Sequence, residues 1–131
     1  MTTSFNFVSF GKIEIMFLEL SHTKLDVFNV AKAFVLECYR ETKSFPPEEK
    51  FGMISQIRRA ALSVHLNVAE GCSRKSEKDR KWFYEVARGS IVEVDTALDI
   101  AVSLKYTTKE KLNELGTLMI RSFQMVSKLI S

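Results

Sequence analysis

The chain has 131 residues and a mass of 15.0 kDa, room for one domain with a short appendage. Hydrophobic residues make up 46% and charged residues 27%, a globular mixture that excludes intrinsic disorder, and no apolar run of about 20 residues offers a membrane span. The net charge of +3 does not by itself announce a nucleic-acid partner, and five Gly with two Pro are too few for a many-turned β architecture.

Residues 1–20 stand apart from the rest. Phe5, Phe7, Ile13, Ile15 and Phe17 alternate around Gly11-Lys12, a weak β-hairpin pattern that would need a partner surface. The other reading is an N-terminal extension ahead of a domain that starts near Met16. Neither resembles a secretory leader, because Lys12 follows the aromatic stretch Phe5 to Phe10 instead of preceding an apolar core.

Residues 21–131 read as four helices. Val27, Val30, Phe34, Cys38 and Glu41 share one face, so a first helix covers roughly Thr23 to Thr42. Phe45-Pro46-Pro47 ends it, since a residue before proline is pushed out of helical geometry. Pro47 with Glu48 and Glu49 suits the first turn of a second helix. Ile54, Ile57, Ala61, Val64 and Val68 continue it to a Gly71 cap. Ser76 to Asp79 resembles a capping box before Phe83, Ala87, Ile91, Val94, Leu98 and Ala101, a third helix running to about Lys105. Thr107 with Glu110 forms another such box before Leu112, Leu115, Met119, Ser122, Val126 and Leu129. Four stripes of about 20 to 29 residues with short connections predict an all-α fold, an antiparallel up-down-up-down four-helix bundle with a short N-terminal extension.

Two groups of polar residues bear on function. Gln56, Arg59, Ser63, Asn67 and Glu70 line a second face of the second helix, Arg58 is counted with this polar stripe, and Arg88, Gly89, Ser90 and Glu93 of the third helix are candidate partners. Amide, guanidinium, hydroxyl and carboxylate groups suit fixed hydrogen-bond geometry. Such a stripe serves either as a polar ladder setting register or a subunit contact, or as a ligand-facing surface. Gly89 inside a helix suggests a close backbone approach.

The second group is basic. Seven basic residues face three acidic ones between Arg58 and Lys81, so the positive charge is local. Within it, Arg74, Lys75, Lys78, Arg80 and Lys81 are candidate phosphate contacts, and Trp82 or Tyr84 could stack on unpaired bases, Phe83 being assigned to the core. A solvated helix start interleaved with Glu77 and Asp79 is the competing reading.

Catalytic patterns are missing. The sole Glu-x-x-His is Glu19 to His22, outside the well-marked helices, and Asp95 with Asp99 lacks a histidine, so no metal site and no cofactor is expected. Cys38 and Cys72 lack metal or redox spacing and read as reduced thiols of a cytoplasmic protein, and a non-enzyme is expected.

The block Phe45-Pro46-x-x-Glu49-x-Phe51-Gly52-x-x-x-Gln56-x-Arg58-Arg59-Ala60-Ala61-x-Ser63-Val64-x-x-Asn67-Val68-Ala69-Glu70-Gly71 resembles the signature of the four-helix-bundle proteins encoded in 23S ribosomal RNA intervening sequences. Lys24-Leu25-Asp26-Val27, Arg74-x-Ser76, Phe83 and Gly89-Ser90-x-x-Glu93 extend the likeness over about residues 23–130. His65 and Phe28 depart from it, standing where proline or a small residue and tryptophan are common. The resemblance implies a cyclic homopentamer and kinship with the accessory protein of diversity-generating retroelements, a basic pentamer that contacts nucleic acid and a reverse transcriptase. The expected function is a non-enzymatic oligomer binding RNA or DNA through a basic rim. Its alternative is a protein–protein scaffold or accessory subunit without nucleic-acid binding. Helix-turn-helix binding across Gly71 to Lys75 is disfavoured, because the flanking helices are long and antiparallel.

Overall fold

The computed structural model describes residues 16–18, 20 and 25–131. The hairpin pattern of residues 1–15, the Glu19 to His22 spacing and the start of the first helix at Thr23 lie outside the described residues. Met16 to Leu18 and Leu20 are exposed and without regular structure.

Four helices follow: α1 (Asp26–Thr42), α2 (Met53–Ser73), α3 (Glu77–Ser103) and α4 (Asn113–Ile130). Each packs on its chain neighbours and α4 closes against α1, so the described chain is a four-helix bundle without strands. Their 17, 21, 27 and 18 residues are shorter on the whole than the stripes suggest, because the connections consume the helix ends.

The second helix does not start at Pro47. Pro47–Glu49 form a single 3-10 turn, and Gly52, with φ −110° and ψ −108°, separates it from α2. Glu49 then does what a capping residue would: its Oε1 accepts the Met53 N–H at 3.0 Å. Its other oxygen accepts the Tyr106 hydroxyl at 2.8 Å, tying the start of α2 to the α3–α4 connection. Both bonds favour the carboxylate and hold Glu49 below its ordinary pKa, while Tyr106 is raised by donating to it.

At the far end, α2 continues through Gly71 to Ser73, so Gly71 is no cap. It is a contact point: a Cβ there would lie 2.6 Å from the Tyr84 ring. This vacancy explains a register correction in α3. Tyr84, not Phe83, takes the core position, 5% exposed, and its hydroxyl donates to Cys72 Sγ at 3.5 Å. Burial first, then that bond, raises the Tyr84 pKa. The rest of the predicted stripe, Ala87, Ile91, Val94, Leu98 and Ala101, is buried with Ile57, Ala61, Val64 and Val68 of α2.

Ser76 caps α3 as the sequence predicts, its Oγ accepting from Asp79 N at 3.2 Å. The helix ends with Lys105 at φ 67°, and the N–H groups of Lys105 and Tyr106 reach back to the carbonyls of Val102 and Ala101. This closure buries Thr107, so the expected Thr107–Glu110 box does not form. Thr108 Oγ1 instead accepts from Lys111 N at 3.1 Å, and α4 starts at Asn113.

Candidate nucleic-acid interface

The polar residues of α2 divide among three surfaces. Along the α2–α3 seam, Gln56 donates to Glu93. Ser90 Oγ donates to Ser63 Oγ at 3.1 Å, and Asn67 Nδ2 reaches both Ser63 oxygens at 2.8 and 3.0 Å. The Ser63, Asn67 and Ser90 bonds are part-buried and that of Gln56 with Glu93 exposed, and together they fix the register of α2 on α3. Glu70 points instead toward the turn, where it pairs with Arg74.

Arg58 works on the opposite flank. Its Nε donates to Thr42 Oγ1 at 2.9 Å, its Nη2 to the Tyr39 carbonyl at 3.1 Å, and the guanidinium stacks 4.8 Å from the Tyr39 ring centroid. Arg58 therefore caps the C-terminus of α1 from a neighbouring helix. Arg59, one residue on, is exposed and bonds to no described residue. Arg88 turns away from the seam, toward Ser127 of α4 at 3.4 Å and Glu85 at 2.9 Å. A Cβ on Gly89 would meet nothing within 4 Å, so among the described residues the close approach expected there is not made.

The basic residues cluster at the α2–α3 turn but differ in what they are free to do. Arg80 holds the turn, donating from Nη1 to the Arg74 and Lys75 carbonyls at 3.2 and 2.6 Å. Those carbonyls have left α2; Arg80 bridges them and keeps its charge at the turn. Arg74 pairs with Glu70 and stacks 4.9 Å from the Phe83 ring centroid, which explains why half-buried Phe83 lies off the core. Lys81 pairs with Glu77 at 3.2 Å. Lys75 and Lys78 are exposed with no partner among the described residues. Trp82, one helical turn beyond Lys78 on the same face, is 61% exposed and meets Phe83 edge-on at 4.9 Å. Tyr84 is removed from the stacking candidates by its burial.

Among the described residues no group of three or more His, Cys, Asp or Glu side chains could hold a metal ion. Glu37, Glu41 and Glu114 converge on the Arg40 guanidinium, and Asp95 and Asp99 sit on an exposed face. Burial, and then Glu37 nearby, pushes the Cys38 thiol up to about 12, so it is no nucleophile at neutral pH. The sequence concealed the roles of Arg58 and Arg80: Arg80 bonds carbonyls that carry no side-chain signal, and the Arg58 partners Thr42 and Tyr39 come from another helix. A surface signal does remain: Leu62, Leu66, Val92 and Ile100 on the outer faces of α2 and α3 stand exposed.

A family model described as 23S rRNA-intervening sequence protein matches residues 23–128. Among solved structures, a protein of unknown function from the S23 ribosomal protein family of Bacteroides thetaiotaomicron superposes with a TM-score of 0.71. It is 18% identical, and the match covers 80% of this chain and 98% of that one, which shows a shared fold. No curated protein matches the chain.

Proposed function

The chain belongs to the 23S rRNA-intervening sequence protein family, and from that premise we propose that it is a non-enzymatic homo-oligomer that binds RNA or DNA through the α2–α3 turn. The observation that carries the reading is the pair Lys75 and Lys78. Lys75 stands on the turn that Arg80 bridges and Lys78 in the first turn of α3, both side chains unpaired among the described residues, with Arg80's own charge at the same turn. Two ammonium groups without carboxylate partners are free for phosphates to neutralise. Assembly is supported by Leu62, Leu66 and Ile100, which exceed the needs of one bundle and lie outward. A cyclic pentamer, the assembly the family resemblance points to, would repeat the turn around a ring and add up its weak contacts.

The second reading is a protein scaffold. It draws on the Arg74–Glu70 and Lys81–Glu77 pairs, which reduce the charge available at the turn.

Fluorescence anisotropy with labelled RNA and DNA at several salt concentrations separates the two. Binding should depend little on sequence and weaken steeply with salt. Replacing Lys75 and Lys78 together by Ala should flatten the log–log salt slope by about 2 per bound subunit. No binding at about 50 mM salt leaves the scaffold reading. Light scattering that gives a 15.0 kDa particle at micromolar concentration refutes assembly.

A further inference from the structure

We propose, resting on the phosphate reading of this turn, that the nucleic acid taken here is single-stranded, with an unpaired base stacked on the exposed face of Trp82 and its flanking phosphates against Lys75 and Lys78. Trp82 is the chain's single tryptophan and 61% exposed, yet it is not a loosely held side chain. It stands on α3, beyond a capped first turn, and Phe83 meets it edge-on at 4.9 Å. Phe83 is in turn covered by the Arg74 guanidinium at 4.9 Å, and Arg74 is anchored by Glu70. The result is a supported indole with a free face. An indole ready in one orientation loses less rotamer freedom on stacking.

The surroundings decide what that face receives. One turn to either side of Trp82 lie exposed Lys78, Asp79 and Glu85, and Val86 is half-buried. Apart from Phe83 at its edge, Trp82 therefore stands in a charged setting, whereas a protein anchor pocket calls for apolar neighbours that exclude water. Most of the nearby carboxylates are occupied: Glu70 by Arg74, Glu77 by Lys81, Glu85 by Arg88. Asp79 remains against Lys75, Lys78 and the charge of Arg80, so positive charge is in excess beside the ring. A π-face next to surplus ammonium groups is the combination that takes a base with its phosphates. A duplex offers the phosphates but keeps its bases stacked on one another.

The single tryptophan makes the test direct, because intrinsic fluorescence reports this position alone. The full chain is titrated with oligo(dT) and oligo(U) of about 16 nucleotides, an abasic oligomer of equal length, and a blunt DNA duplex. Expected is strong quenching by the two single strands and little by the duplex or the abasic oligomer, although anisotropy shows all four bound. Trp82→Ala should weaken oligo(dT) binding about 5- to 150-fold and change duplex binding less than about twofold. Trp82→Phe should restore most of the loss, which a merely misfolded variant would not show. Equal quenching by the abasic oligomer, or equal losses for single strand and duplex, overturns base stacking while the salt response of the Lys75→Ala/Lys78→Ala protein leaves phosphate binding standing. Trp82→Ala without effect on any oligomer overturns the stacking proposal. Absence of binding to all four removes both readings.

Discussion

Glycine-to-alanine exchange at Gly71 and at Gly116 should move stability in opposite directions. Both positions are helical, and Ala is favoured over Gly in a helix by up to about 1 kcal/mol. At Gly116 a Cβ meets nothing within 4 Å among the described residues, so that gain is kept. At Gly71 it would lie 2.6 Å from Tyr84 Cε1, 2.9 Å from Cδ1 and 3.2 Å from the Arg80 carbonyl oxygen. Ordinary carbon contacts are about 3.5–4.0 Å, so α3 or the buried ring must retreat by about 1 Å. Overpacking of this size costs about 1–3 kcal/mol, and disturbing the Tyr84–Cys72 bond adds to it. Subtracting the propensity gain leaves up to about 2 kcal/mol of packing cost, and with the disturbed bond Gly71→Ala is destabilised by about 1–2 kcal/mol, while Gly116→Ala is stabilised by about 0.5–1 kcal/mol. Differential scanning calorimetry at matched protein concentration should show Gly71→Ala melting roughly 3–10 °C lower and Gly116→Ala a few degrees higher. If the two variants shift together, in either direction, the close approach of α2 and α3 at Gly71 is refuted.

Arg58→Ala should cost about 1–3 kcal/mol in urea unfolding, because it uncaps α1 and unstacks Tyr39, while Arg59→Ala should leave the isolated bundle within about 0.5 kcal/mol; equal effects would contradict the assignment. Glu49 titrates below its ordinary 4.5 when folded, so the stability it adds is present above that pH and is lost as pH falls through the folded value. An acid titration of Glu49→Ala should therefore show a shallower loss than the parent below about pH 4.5. Tyr106 has the opposite sign: its folded pKa is raised above 10.0, so its contribution is present below pH 10 and is lost as pH rises through the folded value, a limb that Tyr106→Phe should remove from an alkaline titration.

Much of the architecture was legible as period alone. Apolar residues three and four apart can share a face only on a helix, so the stripes from Ile57 to Val68 and from Ala87 to Ala101 located α2 and α3 and their buried sides. Pro46 and Ser76 announced chain breaks through local backbone chemistry, which needs no tertiary partner. The seam of Ser63, Asn67 and Ser90 was legible too, since small polar groups at helical spacing imply partners of matching geometry.

Choices between adjacent residues needed the tertiary structure. Periodicity places Phe83 and Tyr84 within about 100° of each other on α3 and cannot rank them; the space left by Gly71 admits Tyr84, and Arg74 covers Phe83. Arg58 and Arg59 are likewise neighbours of one charge, distinguished only by the Tyr39 carbonyl and Thr42 hydroxyl brought from α1, a separation of 16 residues to Thr42. The basic turn shows the same limit most sharply. Formal charge counts Arg74, Lys75, Lys78, Arg80 and Lys81 alike, but packing gives Arg74 and Lys81 carboxylate partners and sets Arg80 on the chain itself, leaving Lys75 and Lys78 open. Charge is a property of a residue, whereas availability is a property of what surrounds it.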